Sequence, residues 1–434
     1  MSPIVVGIAG VGILFLLLAA RMPIGFSMAL VGFAGASAII GVERALSMVG
    51  MIPYSEVANY TLSVVPLFLL MGQFAFHSGL SGDAYYSAYR WLGHLPGGIA
   101  MATIGGCAGF AAVSGSSLAA AATMGMVALP EMRRYNYDMS LAAGSIAAGG
   151  TLGILIPPSV SMVIYAVLTE QSIGKLLIAG IFPGLLLTFL FMLTIYVQAW
   201  RNPILGPPAP KSSLRQKLSA LRGGWGILAI FVVVMGGIYG GVCTPTEAAA
   251  IGALACFLFM LGRKQVTRQN LFTVLADTGR VVGMIFAILI GATIFSSFLA
   301  LSRLPVELAD WIGALPVSRY CVLGIILILY FILGCLMDIL AMIVLTIPIF
   351  FPVIMHLGFD PIWFGVIVVI VMEQGLITPP IGMNVFVLHG IAKNIPMYTI
   401  FRGIVPFLLA MWILLLILIV FPEIALYLPS AMRR

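Results

Sequence analysis

Residues 153–158 read Gly-Ile-Leu-Ile-Pro-Pro, and residues 375–380 read Gly-Leu-Ile-Thr-Pro-Pro. The two proline pairs lie 379 − 157 = 222 positions apart, which is close to half of the 434-residue chain. Two other prolines recur at the same spacing. Pro130 is followed by Pro352 and Pro23 by Pro245, each 222 positions later. A duplication in a hydrophobic chain, with proline interrupting a helix at the matching place in each copy, is typical of secondary transporters.

The composition is that of a polytopic membrane protein. Hydrophobic residues make up 62% of the chain and charged residues 8%, whereas a soluble domain has roughly 25% charged residues. Apolar runs of nearly the length needed to cross a bilayer recur throughout, and the first begins at residue 4 without a preceding Arg or Lys. Because further spans follow it, this first run is predicted to be a transmembrane helix rather than a cleaved signal peptide.

The alternation of apolar runs and helix breakers predicts two matching sets of helices. The first half is predicted to hold helices near 4–20, 24–41 and 58–79, a hairpin near 98–129, a broken helix near 139–168 and a helix near 174–200. The second half is predicted to hold helices near 225–242, 245–262 and 270–299, a hairpin near 319–351, a broken helix near 362–391 and a helix near 399–421. The predicted fold is an all-α polytopic membrane protein with two repeats, residues 1–200 and 225–434.

The basic residues predict how these repeats are oriented. If each hairpin is re-entrant, so that it enters and leaves on one side, each repeat crosses the membrane an odd number of times and the two repeats must be inverted. Fourteen basic residues then fall in loops on one face, and six fall on the other, namely Arg44, Lys175, Arg303, Arg319, Arg433 and Arg434. The positive-inside rule places the richer face in the cytoplasm and both termini in the periplasm.

Residues 201–224 join the two repeats and form the long polar connector of the chain, with four prolines and five basic residues. They are predicted to be a cytoplasmic linker. Contact with anionic membrane lipid is one interpretation of the basic residues, although retention on the cytoplasmic side already explains them. The net charge of +7 is likewise attributed to membrane orientation and not to binding of nucleic acid.

The predicted first hairpin has a polar tip, because residues 112–117 read Ala-Val-Ser-Gly-Ser-Ser. Such a tip is tolerated at membrane depth only where protein or water surrounds it. Proline in a helix leaves carbonyls without partners, and freed carbonyls with hydroxyls are hard oxygen ligands that suit sodium better than calcium when no carboxylate is present. The candidate sodium ligands of this half are Ser114, Gly115, Ser116, Ser117, Gly150, Thr151, Gly153 and Pro157.

The alternative for these motifs is that glycine and serine only permit close helix packing and that proline only kinks a helix. Each motif taken singly favours this alternative. Both kinds of motif occur in one half, however, and the proline pair repeats. Together they favour an ion site.

The second hairpin tip differs, since residues 334–338 read Gly-Cys-Leu-Met-Asp and 116 + 222 = 338 places Asp338 opposite Ser116. An aspartate at membrane depth costs about 2.5–3.5 kcal/mol on insertion scales, so it is expected to line a wet or polar site. Asp338 either binds cation or substrate or takes part in gating, or it only caps a helix. The other candidate cation ligands of this half are Gly334, Gly375, Thr378 and Pro379, and Glu373 is either a ligand or paired with a neighbouring group.

Candidate substrate contacts follow from charge. The N-terminus of a broken helix carries roughly half a positive charge and suits an anion, which favours Ser159 and Ser161 behind the first proline pair. Arg303 is either a bidentate carboxylate ligand or a snorkelling anchor. The full set of candidate substrate contacts is Ser116, Ser159, Ser161, Arg303, Asp338 and Asn384.

Several function classes lack their motifs. The four histidines are dispersed, and the five cysteines show no CxxC or Cys/His spacing, so neither a disulfide framework nor a transition-metal site is expected. The chain has no Walker A motif and no dinucleotide fingerprint. It is therefore predicted not to be an enzyme, and its only predicted cofactors are coupling sodium ions.

With these motifs the chain resembles the large membrane (M) subunit of the tripartite ATP-independent periplasmic, or TRAP, transporters. The resemblance covers essentially all 434 residues. Each motif alone is weak, but the set is specific. It consists of residues 21–26, 63–68, 112–117, 153–158, 334–338 and 374–382.

The resemblance implies a fixed scaffold and a mobile transport domain that carries substrate and sodium like an elevator across a bacterial inner membrane. Family members work with a small four-helix Q subunit and a periplasmic substrate-binding protein, and they import carboxylates such as C4-dicarboxylates or sialic acids. It also implies sodium sites at the hairpin tips and broken helices, and substrate contacts around Ser116, Ser161, Arg303 and Asp338. Since no helix precedes Met1, the Q subunit is expected to be a separate chain.

The resulting hypothesis is sodium-driven import of an organic anion. Two alternatives stay open from the sequence: a stand-alone sodium-coupled dicarboxylate or anion transporter, and a channel or membrane scaffold without coupled transport. Uptake by this chain alone indicates the first alternative. Conduction without saturation or sodium dependence indicates a channel.

Overall fold

The computed structural model describes residues 2–314 and 316–432, and every regular element among them is helical. The predicted positions of Arg433 and Arg434 lie outside the described residues. In the first half the helices are α1 (Pro3–Ala19), α2 (Ile24–Ile40), α3 (Val42–Val57), α4 (Val64–His77), α5 (Leu80–Leu92), α6 (Gly98–Ser114), α7 (Ser117–Arg134), α8 (Met139–Leu155), α9 (Val160–Leu168), α10 (Ile173–Ala179) and α11 (Ile181–Arg201). In the second half they are α12 (Leu214–Tyr239), α13 (Pro245–Gly262), α14 (Arg268–Ser302), α15 (Leu304–Gly313), α16 (Arg319–Gly334), α17 (Ile339–His356), α18 (Pro361–Ile377), α19 (Met383–Ile391), α20 (Met397–Val420) and α21 (Glu423–Ala431).

The membrane character predicted from composition is confirmed. Among the described residues, seven helices are long and apolar enough to cross a membrane, or eight if α8 and α9 count as one bent span. The sequence did not predict α3, α5, α15 and α21. These helices are 9 to 16 residues long and lie between the apolar runs or, for α21, after the last of them, so a search for 20-residue apolar stretches passes over them.

Helix ends recur at the spacing of the proline pairs. Helices α7 and α17 begin 339 − 117 = 222 positions apart, and α8 and α18 end 377 − 155 = 222 positions apart. The short side chains that start these helices recur as well. Asp138 and Asp360, also 222 apart, each cap the following helix by accepting hydrogen bonds from the backbone N–H groups two and three residues on, at 2.8–3.1 Å. The inversion of the two repeats stays a prediction.

Both proline pairs lie at breaks between helices. The first separates α8 from α9, whose axes differ by 41°, and the second lies in residues 378–382 between α18 and α19. The Pro–Pro bond is cis in each pair. The pairs differ in surroundings, because Pro157 and Pro158 are buried whereas Pro379 and Pro380 are exposed.

The two helices that end at the breaks form the centre of the molecule. Every residue from Leu141 to Leu155 of α8 and from Ile362 to Ile377 of α18 is buried, and the two helices contact each other. Helix α8 is rich in alanine and glycine, so neighbouring helices approach its axis closely. Its other extensive contacts are with α6, α7, α11 and α20. This packing surrounds the first break with protein, whereas residues 379–381 of the second break are exposed.

The connector between the halves, residues 201–224, is only half non-helical, because α12 already begins at Leu214 and residues 202–213 alone lack helix. Helix α12 begins at Leu214 because Ser213 and Gln216 form a reciprocal capping box. The remaining segment is bound to loops of the first half by backbone hydrogen bonds. Gly97 N–H donates to Gly206 O at 2.9 Å, and Asp138 N–H donates to Leu205 O at 3.1 Å. The linker is therefore held against the base of the first hairpin.

We expect Asp138→Ala and Asp360→Ala each to lower the free energy of unfolding by about 1 kcal/mol, because each removes an N-cap. Thermal unfolding of the detergent-purified protein measures this loss. Asp277→Ala is the matched control, since its carboxylate bonds only to the exposed Arg280. Melting temperatures of the two cap variants equal to that of the control would contradict the assignment.

Candidate functional site

The tip of the first hairpin lies against the first helix break. Helix α6 ends at Ser114, Gly115 turns the chain in the left-handed region (φ 62°), and the Ser116 hydroxyl accepts from Ala119 N–H at 3.3 Å to start α7. A Cβ at Gly115 would lie 2.8 Å from the Pro158 carbonyl oxygen, and one at Gly153 would lie 2.5 Å from the Ser116 carbonyl oxygen. The carbonyl-bearing backbones of tip and break are therefore in direct contact.

The tip of the second hairpin packs in the same way against α18. A Cβ at Gly375 would lie 2.4 Å from the Gly334 carbonyl carbon and 2.8 Å from Cys335 N. Asp338 starts α17, because its carboxylate accepts from Leu340 N–H at 3.4 Å and from Ala341 N–H at 3.1 Å. Asp338 therefore caps α17, which is one of the two alternatives considered for it.

A cavity of about 210 Å³ lies between the two tips. Its wall brings Ser116, Ser161 and Asp338 together, although they come from both halves of the chain. Helix α14 closes the cavity with apolar side chains, namely Val281, Met284 and Ile285. Capping a helix therefore does not keep Asp338 from facing the cavity, so both of its predicted roles are compatible.

Four helices begin at this cavity. Its lining includes the first residue of each of them, Ser117 of α7, Val160 of α9, Ile339 of α17 and Met383 of α19. A helix N-terminus carries roughly half a positive charge, so each of these four helices contributes a partial positive charge to the wall. Asp338 is the only ionisable residue among the described lining residues, which include no Lys, Arg or His.

The polar groups around the tips suit a small hard cation. Ser114 Oγ is buried and has no hydrogen-bond partner among the described residues. Thr151 Oγ donates to Ala148 O and Thr378 Oγ donates to Gln374 O, both at 2.6 Å. A hydroxyl that donates in this way keeps its lone pairs for a ligand. Hydroxyl, carbonyl and carboxylate oxygens are the ligands expected around sodium.

Other predicted site residues lie outside the cavity wall. Arg303 is exposed at the junction of α14 and α15, in the left-handed region (φ 58°), and does not line the cavity. Ser159 is buried and caps α9 through Met162 N–H at 3.3 Å. Pro379 is exposed, unlike Pro157. The predicted roles of these residues in binding stay predictions.

Asn384 and Gly150 lie behind the first tip rather than in the cavity. The Asn384 amide donates to Ser117 Oγ at 2.9 Å, and Ser117 Oγ lies 3.0 Å from a carboxylate oxygen of Glu373. A Cβ at Gly150 would lie 3.1 Å from the Asn384 amide nitrogen. The sequence pointed to Glu373 but not to this contact, because Ser117 lies more than 250 positions from both Glu373 and Asn384.

The apolar wall on α14 was also missed. Val281, Met284 and Ile285 carry no chemical signal that separates them from other lipid-facing residues. Only the packing of α14 against α17 and α4 brings this face to the site.

Comparison with known proteins identifies the family. Residues 11–424 match the family described as "Tripartite ATP-independent periplasmic transporter, DctM component". The chain belongs to this family. The predicted TRAP large subunit is thereby confirmed.

Relatives of this TRAP subunit align along nearly its whole length. The large permease protein DctM of the C4-dicarboxylate TRAP transporter of Pseudomonas aeruginosa is 39% identical over 86% of this chain and 87% of its own length. The large permease protein SiaM of the sialic acid TRAP transporter of Vibrio cholerae is 33% identical over 95% of this chain and 96% of its own length. The isethionate TRAP permease protein DctMQ of Oleidesulfovibrio alaskensis is 32% identical over 95% of this chain but only 64% of its own length.

Two solved structures share the fold. The YdaH transporter of Alcanivorax borkumensis superposes with a TM-score of 0.63 over 90% of this chain and 88% of its own, at 17% identity. MtrF of Neisseria gonorrhoeae gives a TM-score of 0.55 over 88% of this chain and 85% of its own, at 14% identity. At such identities the likeness concerns the fold alone.

We expect Gly375→Ala to raise the alkylation rate of Cys335 by roughly tenfold. The added methyl would displace the second tip, because overpacking costs about 1–3 kcal/mol and 1.4 kcal/mol corresponds to a factor of ten. Labelling of the purified protein with N-ethylmaleimide, quantified for each cysteine by mass spectrometry, measures the change.

The matched control is Gly324→Ala in α16, where nothing lies within 4 Å of the added Cβ. The buried Cys107 and Cys256 serve as internal references and should label as slowly as in the unsubstituted protein. An unchanged rate at Cys335 would show that the contact between Gly375 and the second tip is not needed to hold that tip.

Proposed function

We propose that this subunit imports an organic anion with sodium by an elevator mechanism. The substrate is a carboxylate, such as a C4-dicarboxylate or a sialic acid, received from a periplasmic binding protein. The observation that carries the proposal is the cavity between the two hairpin tips, at which four helices begin. Such N-termini bind anions through the partial charge of unpaired backbone N–H groups.

The charge balance of the cavity supports coupling to a cation. Asp338 places a carboxylate in the wall, and none of the described lining residues is basic. An anion that enters would be repelled by this carboxylate unless a cation lies between them, because Coulomb interactions are strong at low dielectric. Sodium bound at the tips supplies that charge. Substrate and sodium then bind cooperatively, since each favours the binding of the other.

The packing of the tips supports movement of substrate with its surroundings. Ser116, Ser161 and Asp338 belong to tips and broken helices that pack on the central helices α8 and α18. The opposite wall is α14, which packs extensively on α2 at the periphery. We assign the tips, α8 and α18 to the transport domain and α2 with α14 to the scaffold. In the elevator cycle the cavity crosses the membrane against the face of α14.

The relatives support the choice of substrate and partners. Carboxylates are named for the DctM and SiaM relatives and a sulfonate for DctMQ, so all three names specify organic anions. DctMQ extends well beyond the region matched by this chain. The combined name DctMQ supports a small Q subunit as a partner of this family member. The periplasmic binding protein is inferred from the tripartite family.

The proposed location is the bacterial inner membrane, with both termini in the periplasm. Loops assigned to the cytoplasmic face lie together in the structure, as that orientation requires. Arg263 donates to Ser78 O at 3.1 Å and pairs with Asp83, and Trp91 donates to Lys217 O at 3.3 Å. These contacts join the start of α12, the end of α13 and the region of α5.

Membrane voltage contributes to transport only if net charge moves. Two sodium ions with a monoanion carry one positive charge inward, and an inside-negative potential of 100 mV then contributes about 2.3 kcal/mol. One sodium ion with a monoanion is electroneutral. Uptake with and without an imposed potassium diffusion potential separates these cases.

We expect Asp338→Asn to reduce sodium-driven uptake by at least about tenfold. The amide oxygen still accepts from α17, so the helix cap is kept while the charge is lost, and a charge-assisted interaction contributes about 1.5–3 kcal/mol. Ser116→Ala is also expected to reduce sodium-driven uptake. Uptake is measured in proteoliposomes that contain the Q subunit, the binding protein and an inward sodium gradient.

Ser47→Ala is the matched control, because its exposed hydroxyl bonds only within α3. Unsubstituted rates in Asp338→Asn and Ser116→Ala would remove both residues from the mechanism. Uptake without the binding protein would indicate a stand-alone transporter. Flux that neither saturates nor responds to sodium would indicate a channel.

A further inference from the structure

A chain of hydrogen bonds connects the first hairpin tip to the second half of the protein. Ser117 Oγ lies 3.0 Å from Glu373 Oε2 in α18 and 2.9 Å from Asn384 Nδ2 in α19. Asn384 Nδ2 also lies 3.3 Å from Ala147 O in α8. All three side chains are at most 1% exposed.

The donors and acceptors fix the direction of this chain. The two N–H groups of Asn384 donate to Ala147 O and to Ser117 Oγ, and the single Ser117 hydroxyl proton is then given to Glu373 Oε2. The 3.3 Å approach of Ser117 Oγ to Asn384 Oδ1 needs the same proton and is therefore only a close contact. Removing Asn384 or Glu373 breaks the connection at one end.

The setting of Glu373 is energetically demanding. In the described part of the chain no basic side chain forms an ion pair with it, and its other oxygen, Oε1, has no hydrogen-bond partner. A polar group that is buried at membrane depth and only partly satisfied is costly. An apolar residue at this position would pack without that penalty, so stability alone does not account for the carboxylate.

The internal repeat argues against a role in building the fold. The repeat-related positions, reached by adding or subtracting 222, carry Ile339 for Ser117, Thr151 for Glu373 and Met162 for Asn384. Two of these side chains cannot donate a hydrogen bond, and Thr151 bonds within its own helix. The tip of the second hairpin therefore packs without such a chain of hydrogen bonds. Among the described residues, the chain through Ser117, Glu373 and Asn384 has no repeat-related counterpart.

The residues at the two ends of this chain of hydrogen bonds adjoin the two candidate sodium regions. Ser117 belongs to the first tip, whereas Glu373 lies two residues before Gly375, whose backbone supports the second tip. Asn384 directly follows Met383 of the cavity wall. A sodium ion that orders the first tip would therefore also fix α18 beneath the second.

We propose that Glu373 and Asn384 are positioning residues that couple sodium binding at the two hairpin tips. This inference rests on the proposed function, because it assumes that sodium binds at both tips. Occupation of the first tip orients Ser117, Ser117 holds Glu373, and Glu373 keeps Gly375 against Gly334. The second tip then binds sodium more tightly, which prevents the cavity from moving with one ion missing.

The test follows Cys335, which is buried in the second tip beside Gly375. Its alkylation by N-ethylmaleimide is measured for the full-length protein in lipid nanodiscs while sodium chloride replaces choline chloride. In the unsubstituted protein sodium is expected to slow labelling with a Hill coefficient above one, since cooperative sites give values up to their number.

In Glu373→Ala and Asn384→Ala the Hill coefficient is expected to fall to about one, and the half-protecting sodium concentration to rise at least about fivefold, the lower end of typical coupling. Glu373→Gln is expected to restore the unsubstituted curve, because its amide oxygen still accepts from Ser117. Thr188→Ala is the matched control, since this buried hydroxyl bonds only to Gly184 O of its own helix.

The outcomes separate the two proposals. If sodium leaves Cys335 labelling unchanged in the unsubstituted protein, both the proposed sodium coupling and this inference are wrong. If sodium protects Cys335 with the same curve in Glu373→Ala, only the inference is wrong. Should truncation unfold the protein, Asn384→Leu keeps a side chain branched at Cγ without the donor, and an unsubstituted curve in that variant overturns the inference equally.

Discussion

Main-chain atoms that lack a helical partner cannot face lipid, and this constraint organises the whole molecule. Each proline pair frees carbonyls at membrane depth. The structure packs a hairpin tip against the helix that ends at each break, with backbone contacts at Gly153 and Gly375 too close for any side chain. Burying both tips in turn requires α8 and α18 to lie at the centre, so the breaks set the arrangement of the surrounding helices.

The same breaks produce the chemistry of the cavity. A helix that stops and restarts creates a new N-terminus, and four such N-termini converge on about 210 Å³. Their partial charges suit an anion, while Asp338 and the tip oxygens suit a cation. In the proposed function, neither ion binds well at this site without the other. The connection through Glu373 would extend this dependence from substrate and sodium to the two sodium sites.

The two halves share a framework but not all of its details. Helix ends and aspartate caps recur 222 positions apart, yet Ser116 is replaced by Asp338, and the first proline pair is buried while the second is exposed. A duplicated scaffold keeps the positions where backbone geometry is required. The side chains at those positions can differ between the two halves and take different roles.

The sequence by itself predicted the helical membrane class, the recurrence of motifs at 222 positions and the breaks at both proline pairs. These properties depend on composition, on the missing proline N–H and on a fixed spacing along the chain, none of which requires knowledge of how the helices pack. Tertiary structure decided that α14 closes the cavity, that Arg303 lies outside its wall, and that Ser117, Glu373 and Asn384 form one chain. Contacts between residues more than 250 positions apart depend on how helices pack, and helix packing leaves no periodic pattern in a uniformly apolar sequence.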